Sequence, residues 1–418
     1  MIGVGIVNHP KMKYTYVGVD SHKDTHTAVL LDCFFDKVGE IVFENLPSKF
    51  EAFLSEADAL KVEGTTLLFG LEDISAYGRT LTIFLKNNDQ EVKHVNSLLV
   101  AKERKAQTVT QKNDAIDATC AARVLLSKLS EMPDAEPEDN YWILRTLVMR
   151  RDFVVRNNVS LKNHLHSLLM QHYPNYRDFF QNIDGKASLA FFMRYPSPST
   201  LGGTAVEELA EFLHKPSYGH FGIDKAKEIL DSLEDTTIPF QDLRDEAVRS
   251  TIRQIQFNMQ EIDGLESTMA DVLSWFETTL TSMNCMDIVS SAQMLSCIGD
   301  IKRFPTPAKL ARYAGIAPVE YSSGKKDLNF VNKRGNRELN CHFYLLAVRL
   351  IATSNTTNRA RNLFFWQYYH RKISEGKTKT QALKCVQRRL VNIIWNMLTH
   401  GEEYINPPML EVTKKAND

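Results

Sequence analysis

Four carboxylates stand where apolar runs end. Asp20 closes "YVGVD", Glu72 closes "TTLLFGLE", and Asp114 and Asp117 lie three apart in "KNDAIDA". Residues three apart on a helix share a face, so the last two point the same way. Carboxylates drawn together repel and raise one another's pKa unless a cation neutralises them. Mg2+ (or Mn2+), bound through oxygen and open to phosphate as a further ligand, would do so. Two such ions stabilise the attacking and leaving oxygens of a phosphodiester. The chemistry these residues suit is metal-assisted cutting of a nucleic-acid backbone. Each acid also has a structural alternative. Asp20 can belong to a turn, Asp114 can cap its helix, Asp117 can pair with Lys112 or Arg123, and Asp73 can stand in for Glu72.

The elements that must position them follow from hydrophobic period. Residues 14–19 alternate as a strand, 26–33 form a second and 39–45 a third, with "SHKD" short enough for an antiparallel hairpin. Residues 47–60 read as an amphipathic helix carrying Phe50, Phe53, Leu54 and Ala57 on one face. A buried strand ending in "LED", a helix over 77–88, a strand "EVKHVN" and a helix from Asn113 or Asp114 onward complete an α/β pattern with a mixed sheet. That order is ribonuclease-H-like, an arrangement in which the four acids meet at one sheet edge. It assigns residues 1–140 to a metal-binding domain. Beyond about residue 140 the strands stop. Long helical patterns flank "YPSPSTLGGT", which reads as a loop, so 141–281 form a helical linker with an insert, packed as an antiparallel coiled coil or as ordinary helices. Residues 282–405 form a mostly helical last domain and 406–418 a tail. The fold class is α/β plus α.

Charge is unevenly distributed. The chain of 418 residues carries a formal net charge of −1, yet residues 301–400 hold 19 Lys and Arg against 4 Asp and Glu. A basic segment on an otherwise acidic chain is the footprint of a domain that holds phosphates. The six cysteines are scattered without C-x-x-C spacing, which suggests neither a zinc site nor a disulfide framework. His22, His94 and His342 show no ligand pattern. No apolar run reaches the ~18–20 residues of a membrane span, and the first residues lack a secretory pattern. The expectation is a cytoplasmic protein of a prokaryote, nucleoid-associated when acting, with no membrane partner.

"VGVDSHK", "GLEDISAYG" and "KNDAIDA", followed by "GDIKRF", "LARYAGIAPVEYSSGKK" and "NKRGNREL", resemble the motifs of DEDD-type transposases of the insertion sequence 110 family. The resemblance spans roughly residues 14–395 in the family's order. It implies a RuvC-like N-terminal domain, a helical linker and a C-terminal transposase domain with a nucleophilic serine. It implies donor and target DNA as substrates, a structured guide (bridge) RNA as partner, and a homo-oligomer, dimer or tetramer. Carried over, Asp20, Glu72, Asp114 and Asp117 are the metal-binding acids. The family's Ser-x-Gly falls on Ser322 with Gly324, and Ser323 is the adjacent alternative. Lys325, Lys326, Lys333, Arg334 and Arg337 surround that serine and would neutralise phosphates. Tyr313, Tyr321, Phe343, Tyr344, Trp366, Tyr368 and Tyr369 interleave with basic residues, either to stack on bases or to fill a core. One departure lies before "GDIKRF", where Cys285 and Asp287 stand in place of the glycines of a helix-hairpin-helix turn. Competing readings are a RuvC-like metal-dependent nuclease or junction resolvase without serine catalysis, and a non-catalytic nucleic-acid-binding protein. A sugar kinase would need a Gly-rich phosphate turn after Asp20, and "DSHKDTH" has none.

Overall fold

A computed structural model describes residues 9–74, 76–106, 113–137, 140–233, 239–323, 326–330, 332, 335–354 and 359–406, with the backbone alone at 320–323 and 326–330. The chain divides into two compact units, 1–142 and 143–418.

The first unit is a five-stranded mixed sheet. Its strands are β1 (Tyr14–Ser21), β2 (Thr25–Leu31), β3 (Lys37–Glu44), β4 (Thr66–Leu71) and β5 (Glu91–His94), in the order β3-β2-β1-β4-β5. β1 pairs antiparallel with β2 through the short turn, and parallel with β4. Helices α1 (Pro47–Leu60) and α2 (Arg79–Asn87) cover one face, where Val17, Val19, Phe69 and Leu71 meet Phe50, Phe53, Leu81 and Leu85. Helices α3 (Ser97–Ala106) and α4 (Asp114–Ser127) belong to the other face, where Tyr16 and Leu68 meet Val100, Ala121 and Leu125. Side chains alternate along a strand. Tyr16 and Gly18 therefore look toward α4, and Leu68 and Gly70 do the same one strand over.

Gly18 fixes how near α4 comes. A Cβ there would lie 2.1 Å from the Ala118 carbonyl oxygen and 2.3 Å from the Ala122 nitrogen. Glycine on the strand, with alanines on the helix, lets the two backbones touch. The sequence pattern leaves α3 unread, because "SLLVAKERKA" buries only Val100 and so carries little apolar period.

In the second unit, α5 (Asn140–His172) and α11 (Gln241–Leu273) are 33-residue helices lying antiparallel. Arg151 to Glu266 at 2.7 Å, Asn258 to Asn157 at 3.0 Å and Arg244 to Gln171 at 2.7 Å mark successive levels of the pair. The stretch between them carries short helices, and the loop reading of 195–204 is corrected at 198–201, which are helical. That stretch contains α6 (Tyr176–Phe179), α7 (Lys186–Arg194), α8 (Pro198–Leu201), α9 (Val206–His214) and α10 (Ile223–Asp231) around buried Tyr173, Phe179, Phe191 and Phe192. "YPSPST" itself starts α8, because Ser197 forms a capping box with Thr200 and Pro198 occupies the first turn.

The remaining helices are α12 (Ile288–Ile298), α13 (Pro307–Tyr313), α14 (Arg337–Ile351), α15 (Leu363–Ser374) and α16 (Lys379–His400), around a core of Leu310, Phe343, Phe365, Val386 and Leu390. Strands do not stop at residue 140. β6 (Val319–Ser323) and β7 (Lys326–Phe330) form an antiparallel hairpin between α13 and α14. Their apolar residues alternate (Val319 and Tyr321, then Leu328 and Phe330), a period-two signal masked by the surrounding charge. Among the described residues no helix is long and apolar enough to cross a membrane.

Candidate active site

The site stands at the ends of β1 and β4, on the α4 side. Gly18 and Gly70 are neighbours in the parallel register, and Asp20 and Glu72 each follow two residues later. The strand period gives both acids the face toward α4. Both strands write Gly-x-acid, "GVD" and "GLE", a repeat that matches the pairing. Asp73 falls on the opposite phase. Its carboxylate accepts hydrogen bonds from the Ala76 and Tyr77 amides, both at 2.8 Å, so it builds the following turn and leaves Glu72 as the acid on the α4 side.

Asn113 caps α4, its Oδ1 accepting from the Ile116 amide at 2.8 Å. That frees Asp114 from capping. Asp114 and Asp117 then head the same helical stripe, through Ala118 and Ala121, that packs on the sheet. Asp117 pairs with Arg104 of α3, while Arg123 pairs with Glu103 at 2.9 Å, which removes the Arg123 alternative. Lys112 lies outside the described residues.

The carboxylates share an electrostatic environment. Burial pushes Glu72 up to about 7, and Asp20 and Asp117 push in the same direction, against a Ser97 hydroxyl hydrogen bond and the Arg104 charge. Burial also raises Asp20, with Asp117 and Asp114 adding to it and His22 opposing. Three residues here escaped the sequence reading: His22, Ser97 and Arg104. His22 Nε2 lies 3.2 Å from Asp20 Oδ2 and 3.4 Å from Asp114 Oδ1. The signal for it was its place two residues after Asp20, in strand phase. Ser97 and Arg104 belong to the unread α3 and had no such signal.

Of the second-unit candidates, Ser322 and Ser323 lie in β6, where Ser322 pairs with Asp327 and Ser323 with Lys326 in the backbone register. Their side chains and that of Lys326 fall outside the described residues, as do Gly324, Lys325, Lys333 and Arg334. Arg337 is exposed at the start of α14. It lines an open cleft of ≈ 400 Å³ with Asn332, Asn336, Asn340, Tyr344 and Lys384. Lys384, Arg388 and Arg389 line an adjoining cleft beside Pro318 at the hairpin's base. The aromatics divide: Phe343 is core, Tyr344 is exposed, and Tyr368 lies beneath Arg389 and Arg371. At the departure before "GDIKRF", Cys285 adopts φ 66°, the left-handed backbone that glycine favours, and Asp287 caps α12 through the Ser290 amide at 2.7 Å. The tight turn persists without glycine. His342 gathers with Cys297 and Glu338 in this unit, their ligand atoms within 4.8 Å of one another.

Two family models match the chain. One, described as a DEDD-type transposase of IS110, covers residues 17–174, and the other, the transposase IS116/IS110/IS902 family, covers residues 277–363. The chain is 26% identical over 403 residues to the 44.8 kDa protein of insertion element IS116 from Streptomyces clavuligerus, covering 95% of this chain and 98% of the relative. It is 25% identical over 396 residues to the 43.6 kDa protein of insertion element IS110 from Streptomyces coelicolor, covering 93% and 95%. The 42 kDa protein of insertion element IS900 from Mycobacterium paratuberculosis is 25% identical over 401 residues, covering 93% and 96%. With both halves matched in order and relatives aligned along nearly the whole length, the chain belongs to the IS110 family of transposases, enzymes that cut and rejoin DNA.

Proposed function

We propose that this transposase works through divalent ions held by Asp20, Glu72, Asp114 and Asp117 in a RuvC-like first unit. Ser322 of the second unit serves as the nucleophile, under guidance of a structured RNA. The observation that supports the metal reading most is the convergence of two strand ends and one helix start: Asp20 and Asp114 offer ligand atoms within 4.8 Å of each other, and Asp117 acts electrostatically on both Asp20 and Glu72. A carboxyl such as Glu72, held near neutrality by burial and by neighbouring acids, fits a group completed by a cation. The donors are oxygens, which suits Mg2+ or Mn2+, and only Asp117 carries an arginine partner among the site acids described. When bound, the ions supply charge stabilisation at the scissile phosphate.

The chain's own residues do the rest. Gly18 and the alanines of α4 hold Asp114 and Asp117 against the strand that carries Asp20. Arg104 orients Asp117, and Ser97 orients Glu72. In the second unit the Ser322 hydroxyl attacks the phosphorus, the leaving 3′ oxygen departs with a proton, and the phosphoserine linkage conserves the bond energy for rejoining. Lys325, Lys326, Lys333, Arg334 and Arg337 would neutralise the surrounding phosphates, and the clefts meeting at Lys384 extend that basic surface beneath the hairpin. Cutting two duplexes calls for several active sites, hence a dimer or tetramer.

The test is strand exchange with full-length protein, element-end DNA, target DNA and any structured RNA that co-purifies with the protein. Asp114→Asn is expected to lower cleavage by about 10³-fold. Ser322→Ala is expected to abolish the covalent protein–DNA adduct and leave cation binding intact. Loss of the adduct in Ser323→Ala alone moves the nucleophile by one residue. Cleavage that survives both serine changes supports the nuclease reading instead.

A further inference from the structure

His22 belongs to no carboxylate motif, yet it stands between two of the site's acids, Asp20 and Asp114. It lies one residue beyond the end of β1, in the same strand phase as Asp20 and Gly18, so period two sends it toward α4. Its Nε2 sits between two carboxylates from different elements, 3.2 Å from Asp20 Oδ2 and 3.4 Å from Asp114 Oδ1. All three ligand atoms lie within 4.8 Å of one another. Ligands at right angles around an ion with bonds of about 2.1 Å are about 3.0 Å apart, and opposite ones about 4.2 Å. The two distances from His22 Nε2, 3.2 and 3.4 Å, fall between those two spacings.

The turn that carries His22 is held in place. The His22 amide donates to the Thr25 carbonyl at 3.1 Å, closing the hairpin. Asn45 Nδ2 donates to the carbonyls of His22 at 3.1 Å, Lys23 at 3.3 Å and Tyr77 at 3.1 Å, tying the turn to β3 and to the segment after β4. A ligand on a clamped turn loses little freedom on binding, which is how preorganised sites gain affinity.

We propose that His22 is a fifth protein ligand of the site, giving it one nitrogen among its oxygens and a preference for Mn2+ over Mg2+. The inference rests on the carboxylates holding a divalent ion at all. Mg2+ demands near-ideal oxygen ligation and keeps its waters, whereas Mn2+, though also at home among carboxylates, is a transition-metal ion and takes an imidazole nitrogen more readily than Mg2+ does. Without an ion, the proton on His22 Nε2 serves Asp20, with Asp114 beside it. Ligation would require that proton to leave Nε2, to Nδ1 by tautomerisation or to solvent, so that the nitrogen's lone pair is free for the metal. A four-acid site without His22 would bind the two ions with less discrimination.

The experiment is Mn2+ binding to the full-length protein, followed by pulsed electron paramagnetic resonance for nitrogen coupling to the bound ion. Wild-type protein is expected to bind Mn2+ with the coupling of one directly ligated imidazole. His22→Gln is expected to lose that coupling and at least about tenfold in Mn2+ affinity, with a smaller loss for Mg2+ measured by competition. Mn2+ bound without nitrogen coupling in the wild type would overturn the inference and leave the four-acid reading standing. Mn2+ binding that is absent, or that survives Asp20→Asn together with Asp114→Asn unchanged, would overturn that reading and the role of His22 with it. A circular-dichroism spectrum of each variant matching wild type ties the losses to ligation rather than to misfolding.

Discussion

The two units arrange their chemistry in opposite ways. In the first, the candidate acids sit on regular elements whose backbones touch: strands ending near Asp20 and Glu72 and a helix beginning at Asp114, pressed together at Gly18. In the second, the candidate serines lie in a two-stranded hairpin between helices of the chain, and Lys384, Arg388 and Arg389 line a cleft with Pro318 just before it. One region is organised by close packing and the other by charge. Packing demands particular small residues at particular positions, whereas a charged surface tolerates exchange. The first unit is therefore where a single methyl group is expected to do most damage.

A matched pair of substitutions breaks the comparison most sharply. Gly18→Ala forces a methyl group into the α4 backbone and should destabilise the first unit by more than about 3 kcal/mol, read in chemical denaturation. Next in size is the response to cations. A carboxyl whose folded pKa is raised binds more protons folded than unfolded. Its contribution is then fully present below the unfolded value and fades as pH rises through the folded one. For Glu72 that window runs from 4.5 to about 7. Saturating Mg2+ is thus expected to raise the melting temperature more at about pH 8.5 than at about pH 6, by about 2–4 °C, and Glu72→Gln to remove the difference. Smallest is the counterpart in the second unit. Gly264 lies inside α11 with nothing within 4 Å of an added Cβ, so Gly264→Ala should stabilise by about 0.5–1 kcal/mol. Equal signs for the two glycine changes would erase the contrast.

Much of the first unit was legible because its elements carry strong period. The hairpin, the strand ending at Glu72 and the helix capped by Asn113 were all readable from alternation and capping chemistry. The basic balance of residues 301–400 likewise pointed to phosphate. Other parts were not. The helix carrying Ser97 and Arg104 buries a single apolar residue, so hydrophobic pattern could not announce it. The helices between α5 and α11 pack aromatics around one another, and "YPSPST" reads as a breaker until Ser197 is seen capping α8. His22 carried only the faint signal of its strand phase with Asp20: its second partner, Asp114, starts a helix far along the chain, and only the fold joins them. Contact across distant segments is what local pattern leaves out.

Everything proposed for the first unit depends on those segments sharing one metal site. Fe2+ exchanged into a Mg2+ site produces hydroxyl radicals that cut the nearby backbone, so the fragments report which segments surround the metal. Full-length protein loaded with Fe2+ and treated with ascorbate and peroxide is expected to break near Asp20, Glu72 and Asp114 together. Excess Mg2+ should suppress all three breaks at the same concentration. Scission confined to one of those segments, or breaks that Mg2+ suppresses at different concentrations, would contradict a shared site.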